Sequence, residues 1–172
     1  VMATNPAISL PDAARVRAAL EKCPLVIVSK CAAHTDLLPY ADIVLPASGW
    51  SEKDGTVTNS ERRISRQRGM LPPPGEAHHD WWIMCEVAKR LGFAEAFNYA
   101  HPWEIFDEHA RLSGFENGFD NSSLPGSPQR LFDISGLMGL GRDGYDALAP
   151  IQWPVTKAAP HGTARLFEDG EV

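Results

Sequence analysis

Two short apolar runs, Leu25-Val26-Ile27-Val28-Ser29 and Asp42-Ile43-Val44-Leu45-Pro46, constrain the fold of this chain more than any other feature. Each is too short for a helix and reads as a buried strand. A helix signal precedes the first, with Pro11 near its start, Asp12 at or beside the cap, and Val16, Ala19 and Leu20 at helical spacing. Residues 34–40, between the two runs, carry a weaker helix signal. Val1-Met2-Ala3 reads like the end of a further strand, so abrupt that a preceding segment is expected to have been removed. Strand, helix, strand, helix, strand is the order of a parallel α/β sheet flanked by helices.

The middle of the chain changes character. Residues 52–59 read as a turn into an extended segment, and Arg62, Arg63, Arg66 and Arg68 follow with Ile64 among them. Pro72-Pro73-Pro74-Gly75 then breaks any regular element. Residues 80–91 give the clearest helix. Asp80 is its expected N-cap, Ile83, Met84, Val87, Ala88 and Leu91 form one apolar face, and Gly92 ends it. A second helix is expected over 102–113, with Pro102 in its first turn and Ile105, Phe106 and His109 or Ala110 inward. Residues 114–130 have the composition of a surface loop. Beyond them come short segments at 134–140 and 145–148. The expected organisation is thus an α/β domain over 1–112 and a less regular, loop-rich extension over 113–172.

The 172 residues suffice for a sizeable core without a disulfide or metal staple. Acidic residues outnumber basic ones 22 to 16, for a net charge of −6, which argues against a nucleic-acid partner. No apolar run is long enough for a membrane span, and no signal peptide is read. Cys23, Cys31 and Cys85 are odd in number and lack CxxC spacing, so reduced thiols of a cytoplasmic protein are expected.

Ligands of open parallel sheets sit beyond the carboxyl ends of the strands. Three places qualify here: Thr4-Asn5, Ser29-Lys30 and the loop after Leu45. No GxGxxG fingerprint and no phosphate-binding GxxxxGK[ST] loop is read anywhere in the chain, so a nucleotide would need another grip. Asn5 can donate and accept, which suits a base edge or ribose, although a turn residue before Pro6 is the ordinary reading. Ser29 carries the same ambiguity. Lys53 offers a point charge to a phosphate, or is a solvated lysine. Asp80 can accept from a guanine edge, cap a helix, or do both. His78-His79-Asp80 has the wrong spacing for one metal ion, and neither a GxSxG nor an oriented Cys–His pair suggests a nucleophile. The Arg-rich run is either a polyanion patch or, given Glu61 and the acidic balance, a paired or interdomain face. The five tryptophans are expected in the core or at a domain interface.

Glu52-Lys53-Asp54-Gly55-Thr56-Val57-Thr58-Asn59-Ser60-Glu61-Arg62-Arg63, Pro74-Gly75-Glu76-Ala77 and Asp80-Trp81-Trp82 resemble blocks of the molybdopterin oxidoreductase (dimethyl-sulfoxide-reductase) family. So do Asn5-Pro6 and Ala41 through Pro46, in the same order. The later segments Ser113 through Asn117, Phe132-Asp133-Ile134, Tyr145 through Val155 and Gly162 through Phe167 are similar to the catalytic subunits of assimilatory nitrate reductases.

The resemblance implies a Rossmann-like domain gripping one of two pterin guanine dinucleotides that together hold molybdenum. Its contacts fall on Asn5, Ser29, Lys53 and Asp80. Lys30 departs from the pattern, since many relatives carry Asp there and an ammonium cannot accept a hydrogen bond. The resemblance also implies a 4Fe-4S cluster elsewhere in a full enzyme, other domains of the same polypeptide, and an electron donor of flavoprotein, ferredoxin or flavodoxin type. It implies nitrate reduction to nitrite at molybdenum, with no catalytic residue or metal ligand in this chain. Residues 1–172 alone are expected to be inactive and to carry no bound cofactor. A formate dehydrogenase or other family member is the alternative, and a non-catalytic nucleotide-binding or interaction module is the alternative from another class.

Overall fold

The computed structural model describes residues 1–117 and 130–165; most of the loop expected over 114–130 lies outside the described residues. The chain divides into two compact units. The first comprises Val1–Lys53 and Gly69–Asn98, the second Asp54–Arg68 and Tyr99–Val172. The chain therefore leaves the first unit after Lys53, returns at Gly69 and leaves again after Asn98.

The first unit is built on a parallel pair. Helix α1 (Pro6–Ser9) is a single turn, and α2 (Ala13–Lys22) follows. The Asp12 side chain accepts from the Arg15 amide, so the expected cap is present. Strands β1 (Ile27–Lys30) and β2 (Ile43–Pro46) pair in parallel, Ser29 opposite Leu45. The expected strand at Val1-Met2-Ala3 is one parallel bridge, Met2 to Ser29, on the other side of β1. The weak signal over 34–40 becomes a short 3-10 turn at Leu38–Tyr40. Side chains alternate across β1. Val26 and Val28 pack with Leu37, Leu20, Leu38 and Ala41 on one face. Ile27 and Ser29 face the other way, towards helix α3 (Asp80–Arg90).

The parallel sheet and its flanking helices match the fold class expected from the sequence. Three details do not. Strand β2 is not buried: Ile43 is 44% and Val44 49% exposed. A continuous apolar run signals cover on both faces, but the packed elements of this unit centre on β1 and leave β2 at the margin. The apolar face of α3 is also largely uncovered, with Leu91 70% exposed and only Ile83 and Cys85 buried along the helix. Finally, the N-cap of α3 is His79, and Asp80 is the first helical residue. Gly92 ends the helix at φ +95°, as anticipated.

The second unit holds an antiparallel sheet that the sequence only hinted at. Strands β3 (Gly55–Thr58) and β4 (Arg63–Gln67) form a hairpin, and β5 (Ile151–Gln152) adds to β4 through Arg63 and Ile64. Helix α4 (Pro102–Gly114) covers it with Phe106 and Ala110 inward, while His109 is exposed. A 3-10 turn (Ser135–Leu137) and helix α5 (Gly141–Asp146) complete the core, in which Ile64, Phe106, Ile134, Leu137, Tyr145 and Val155 are buried together. Trp103 and Trp153 pack against this cluster. Trp50 and Trp82 are exposed, so of the two expected settings they do not take the core.

The arginine run is a paired face. Arg62 donates to the carbonyls of Trp153, Thr163 and Ala164. Arg66, its side chain 2% exposed, forms ion pairs with Asp54 at 3.0 Å and Asp146 at 3.1 Å. Arg66 also donates to Asp54 Oδ2 at 3.3 Å. Arg68 donates to the Asp146 carbonyl at 2.7 Å. With their donors engaged in this way, the arginines are not arranged as an open polyanion patch.

Candidate functional site

The candidate residues collect where parallel strands end. Asn5 follows the Met2 bridge and stands at the head of α1, its carbonyl accepting from the Ile8 and Ser9 amides at 3.1 and 2.9 Å. The Asn5 side chain makes no capping bond, and its Oδ1 is buried without a partner. Ser29, near the end of β1, is 2% exposed. Its backbone is engaged, the amide donating to Val1 O at 2.9 Å and the carbonyl accepting from Ala3 N at 3.1 Å. Its Oγ is buried without a partner. Leaving such a group unsatisfied costs about 1–3 kcal/mol, so both atoms mark places suited to a polar ligand.

Lys53 and Asp80 arrive from either side of the exit of β2. After Pro46 the chain bridges in parallel from Ala47 to His78, with His78 N donating to Pro46 O at 3.1 Å and Ser48 N to His78 O at 2.8 Å. The buried Ser48 hydroxyl lies 2.9 Å from His79 Nδ1. Together these bonds seat the start of α3 against the strand exit. The next turn is tied by Gly49 N donating to the Glu52 carboxylate at 2.6 Å. It is braced by Met70 N and Leu71 N donating to Ser51 O. Gly69 allows the close approach, since a Cβ there would stand 3.0 Å from Glu52 O. Lys53 emerges from this turn, and its Nζ lies 2.5 Å from Asp80 Oδ2.

Of the four residues expected from the sequence, the structure thus joins Lys53 and Asp80 directly. It places Asn5 and Ser29 at the exits of the Met2 bridge and of β1, which that bridge holds side by side. Ser48 went unnoticed and His79 was weighed only as a metal ligand; nothing local in the sequence marks their bond, because it depends on the bridge between Ala47 and His78. The two adjacent histidines take separate roles. His78 stacks on Trp82 with centroids 3.9 Å apart, and His79 meets Ser48. Among the described residues, no three His, Cys, Asp or Glu side chains gather as a metal site. All three cysteines are free thiols, and burial pushes the Cys85 thiol above its ordinary pKa.

One glycine pattern escaped the sequence reading. Gly139-Leu140-Gly141-Arg142-Asp143-Gly144 has the letters GxGxxG. It follows a 3-10 turn rather than a strand and opens α5, which is only six residues long, so the strand–turn–helix context of a dinucleotide fingerprint is missing.

A cavity of ≈ 500 Å³ opens between the sheet and α3, lined by Ile27, Leu45, Ile83, Met84, Val87 and Leu91 among others. Its walls are apolar and unsuited to a phosphate. Ser29 reaches it from the strand end, and the polar edge, not this groove, has the chemistry to hold a nucleotide.

The sequence model of the molybdopterin oxidoreductase family matches residues 1–90. The chain belongs to this family. It is 54% identical over 158 residues to a nitrate reductase of Klebsiella oxytoca, an alignment that covers 92% of the chain and 17% of that protein. It is 43% identical over 113 residues to the alpha subunit of a formate dehydrogenase of Methanocaldococcus jannaschii, covering 66% of the chain and 17% of that protein. The chain thus spans about a sixth of the length of these relatives. Among solved structures, acetylene hydratase from Pelobacter acetylenicus shares the fold at a TM-score of 0.53 and 23% identity, over 60% of this chain and 14% of that one. Membership implies a molybdenum–pterin cofactor. No helix among the described residues is long and apolar enough to cross a membrane.

Proposed function

We propose that this chain is the part of a cytoplasmic, molybdenum-dependent assimilatory nitrate reductase that grips one molybdopterin guanine dinucleotide. The observation carrying this reading is the set of groups at the carboxyl edge of the parallel sheet. They are the partnerless Asn5 Oδ1 and Ser29 Oγ, with the Lys53–Asp80 pair at the neighbouring strand exit. An amide, a hydroxyl, a cation and a carboxylate are the donor and acceptor types that ribose, phosphates and a guanine edge require. The Rossmann-like grip lies within residues 1–112, on the parallel sheet of the first unit, and 113–172 lead towards a further domain.

When bound, the molybdenum centre supplies the two-electron chemistry that converts nitrate to nitrite. The residues of this chain bind and orient the dinucleotide. The iron–sulfur cluster and the docking site for a flavoprotein, ferredoxin or flavodoxin donor belong to other parts of the polypeptide. Residues 1–172 by themselves are inactive in this reading. A second reading, that the substrate is formate, is favoured by the 43% identity to a formate dehydrogenase subunit. The nitrate reductase alignment extends over more of the chain, 92% against 66%, and supports the first.

Titration with GMP or GDP, followed by backbone amide NMR, tests the site. Shifts concentrated at Asn5, Ser29, Lys53 and the start of α3 are expected. Undisturbed amides at all four places with millimolar nucleotide present would overturn the assignment.

A further inference from the structure

The exits of the Met2 bridge and of β1 lie side by side and carry groups that the protein does not satisfy itself. Asn5 Oδ1 and Ser29 Oγ are buried without a partner. Lys30, the last residue of β1, is only partly exposed. Its carbonyl accepts from Ala47 N at 2.9 Å, which fixes the root of the side chain. Among the described residues no carboxylate pairs with its ammonium. Two other cations of this unit are engaged. Lys53 Nζ stands 2.5 Å from Asp80 Oδ2, so a phosphate at that exit would face a carboxylate as well as an ammonium. Arg17 Nε donates to Ala7 O at 3.2 Å.

Successive side chains of a strand point to opposite faces, so Ser29 and Lys30 flank the end of β1 from its two sides. They present a hydroxyl that can donate and an ammonium that can only donate, which calls for a ligand made of acceptors. In sheets that bind dinucleotides, an acid in the site accepts from ribose hydroxyls, and a base near that place accommodates phosphate instead. We propose that Lys30, where this chain departs from the aspartate pattern, supplies the positive charge that holds the phosphates of the nucleotide, with Ser29 donating beside it. This rests on the dinucleotide reading above and moves the phosphate contact from Lys53 to a residue that the sequence pattern left unassigned. A group lying across the end of β1 is then gripped from both faces of the sheet, and the orphaned hydroxyl and the unpaired ammonium are satisfied together.

The test is a set of dissociation constants for GDP and guanosine, measured on residues 1–172 by amide NMR at low and high salt. Wild type is expected to bind GDP roughly tenfold or more tightly than guanosine, because a hydrogen bond to a charged group is among the stronger ones. That advantage is expected to shrink as salt screens the ammonium. Lys30→Met is expected to lose most of it while leaving guanosine unchanged. Lys30→Asp is expected to weaken GDP further, since the phosphates then meet a carboxylate, and Lys30→Arg to keep the preference. An unchanged amide spectrum away from the site confirms that each variant is folded. A GDP-to-guanosine ratio in Lys30→Met equal to that of wild type overturns the phosphate role, and so does an equal loss of both ligands, which places Lys30 on the nucleoside. In either case GDP-induced shifts at Asn5 and Ser29 leave the dinucleotide reading standing. No binding of either ligand to wild type at millimolar concentration overturns both.

Discussion

Arg66 sits buried between two carboxylates. Its guanidinium is buried, paired with Asp54 and Asp146, and stacked 3.8 Å from the centroid of Tyr145. Arg66→Met is expected to destabilise the second unit by about 2–3 kcal/mol, since it strands two carboxylates that are only partly solvated; urea unfolding measures this. Burial pushes Tyr145 up to about 12 from 10.0, although the Arg66 charge pulls the other way. A raised acid pKa in the folded state stabilises fully below the unfolded value and is lost as pH climbs through the folded one. Stability is therefore expected to fall between pH 10 and about 12, and Tyr145→Phe to remove that part of the fall. Denaturation curves across this window check it, and loss beginning well below pH 10 in wild type only would contradict it. At this scale the sequence revealed the kinds of groups but not their partners. Lys53 and Asp80 were each recognisable as candidates, yet their contact depends on a bridge between Ala47 and His78 that no local pattern encodes. Asp80 was misplaced as a cap by one position because helix starts are blurred over a turn.

Elements were more legible where periodicity was strong. Helices α2, α3 and α4 and strands β1 and β2 were readable from spacing and turn residues, whereas β5, two residues long, had no pattern to show. Burial was overestimated for β2 and α3 because an apolar run reports what an element can pack against, not whether a neighbour is there. The seating of α3 can be tested at Ser48. Ser48→Ala is expected to cost about 1–2 kcal/mol and to speed hydrogen exchange at Ile83, whose amide donates to His79 O at 3.0 Å. Exchange at Ile83 as slow as in wild type would show that the hydroxyl does not pin this end. At the other end, Gly92→Ala is expected to cost about 1 kcal/mol from its positive φ alone, as measured by thermal unfolding.

For the molecule as a whole, the apolar groove beside α3 gives a direct expectation. Residues 1–172 as a separate protein should bind an apolar fluorescent dye there. Val87→Lys should abolish that binding while changing stability by no more than about 0.5 kcal/mol, because Val87 is already half exposed. Undiminished dye fluorescence in the variant would place the dye elsewhere. The division into two units was not legible from composition, because the hairpin β3–β4 interrupts the first unit and belongs to the second. That interleaving bears on how the protein emerges from the ribosome. The parallel pair closes over a short stretch of chain, but Ile64 in the hairpin meets its partner Ile151 only after 87 further residues (151 − 64) have been made. At about 5–20 residues per second, the hairpin waits on the order of 10 s for its third strand. During that interval β4 has an open, hydrogen-bond-hungry edge, and the nascent chain is then most exposed to pairing with the wrong strand.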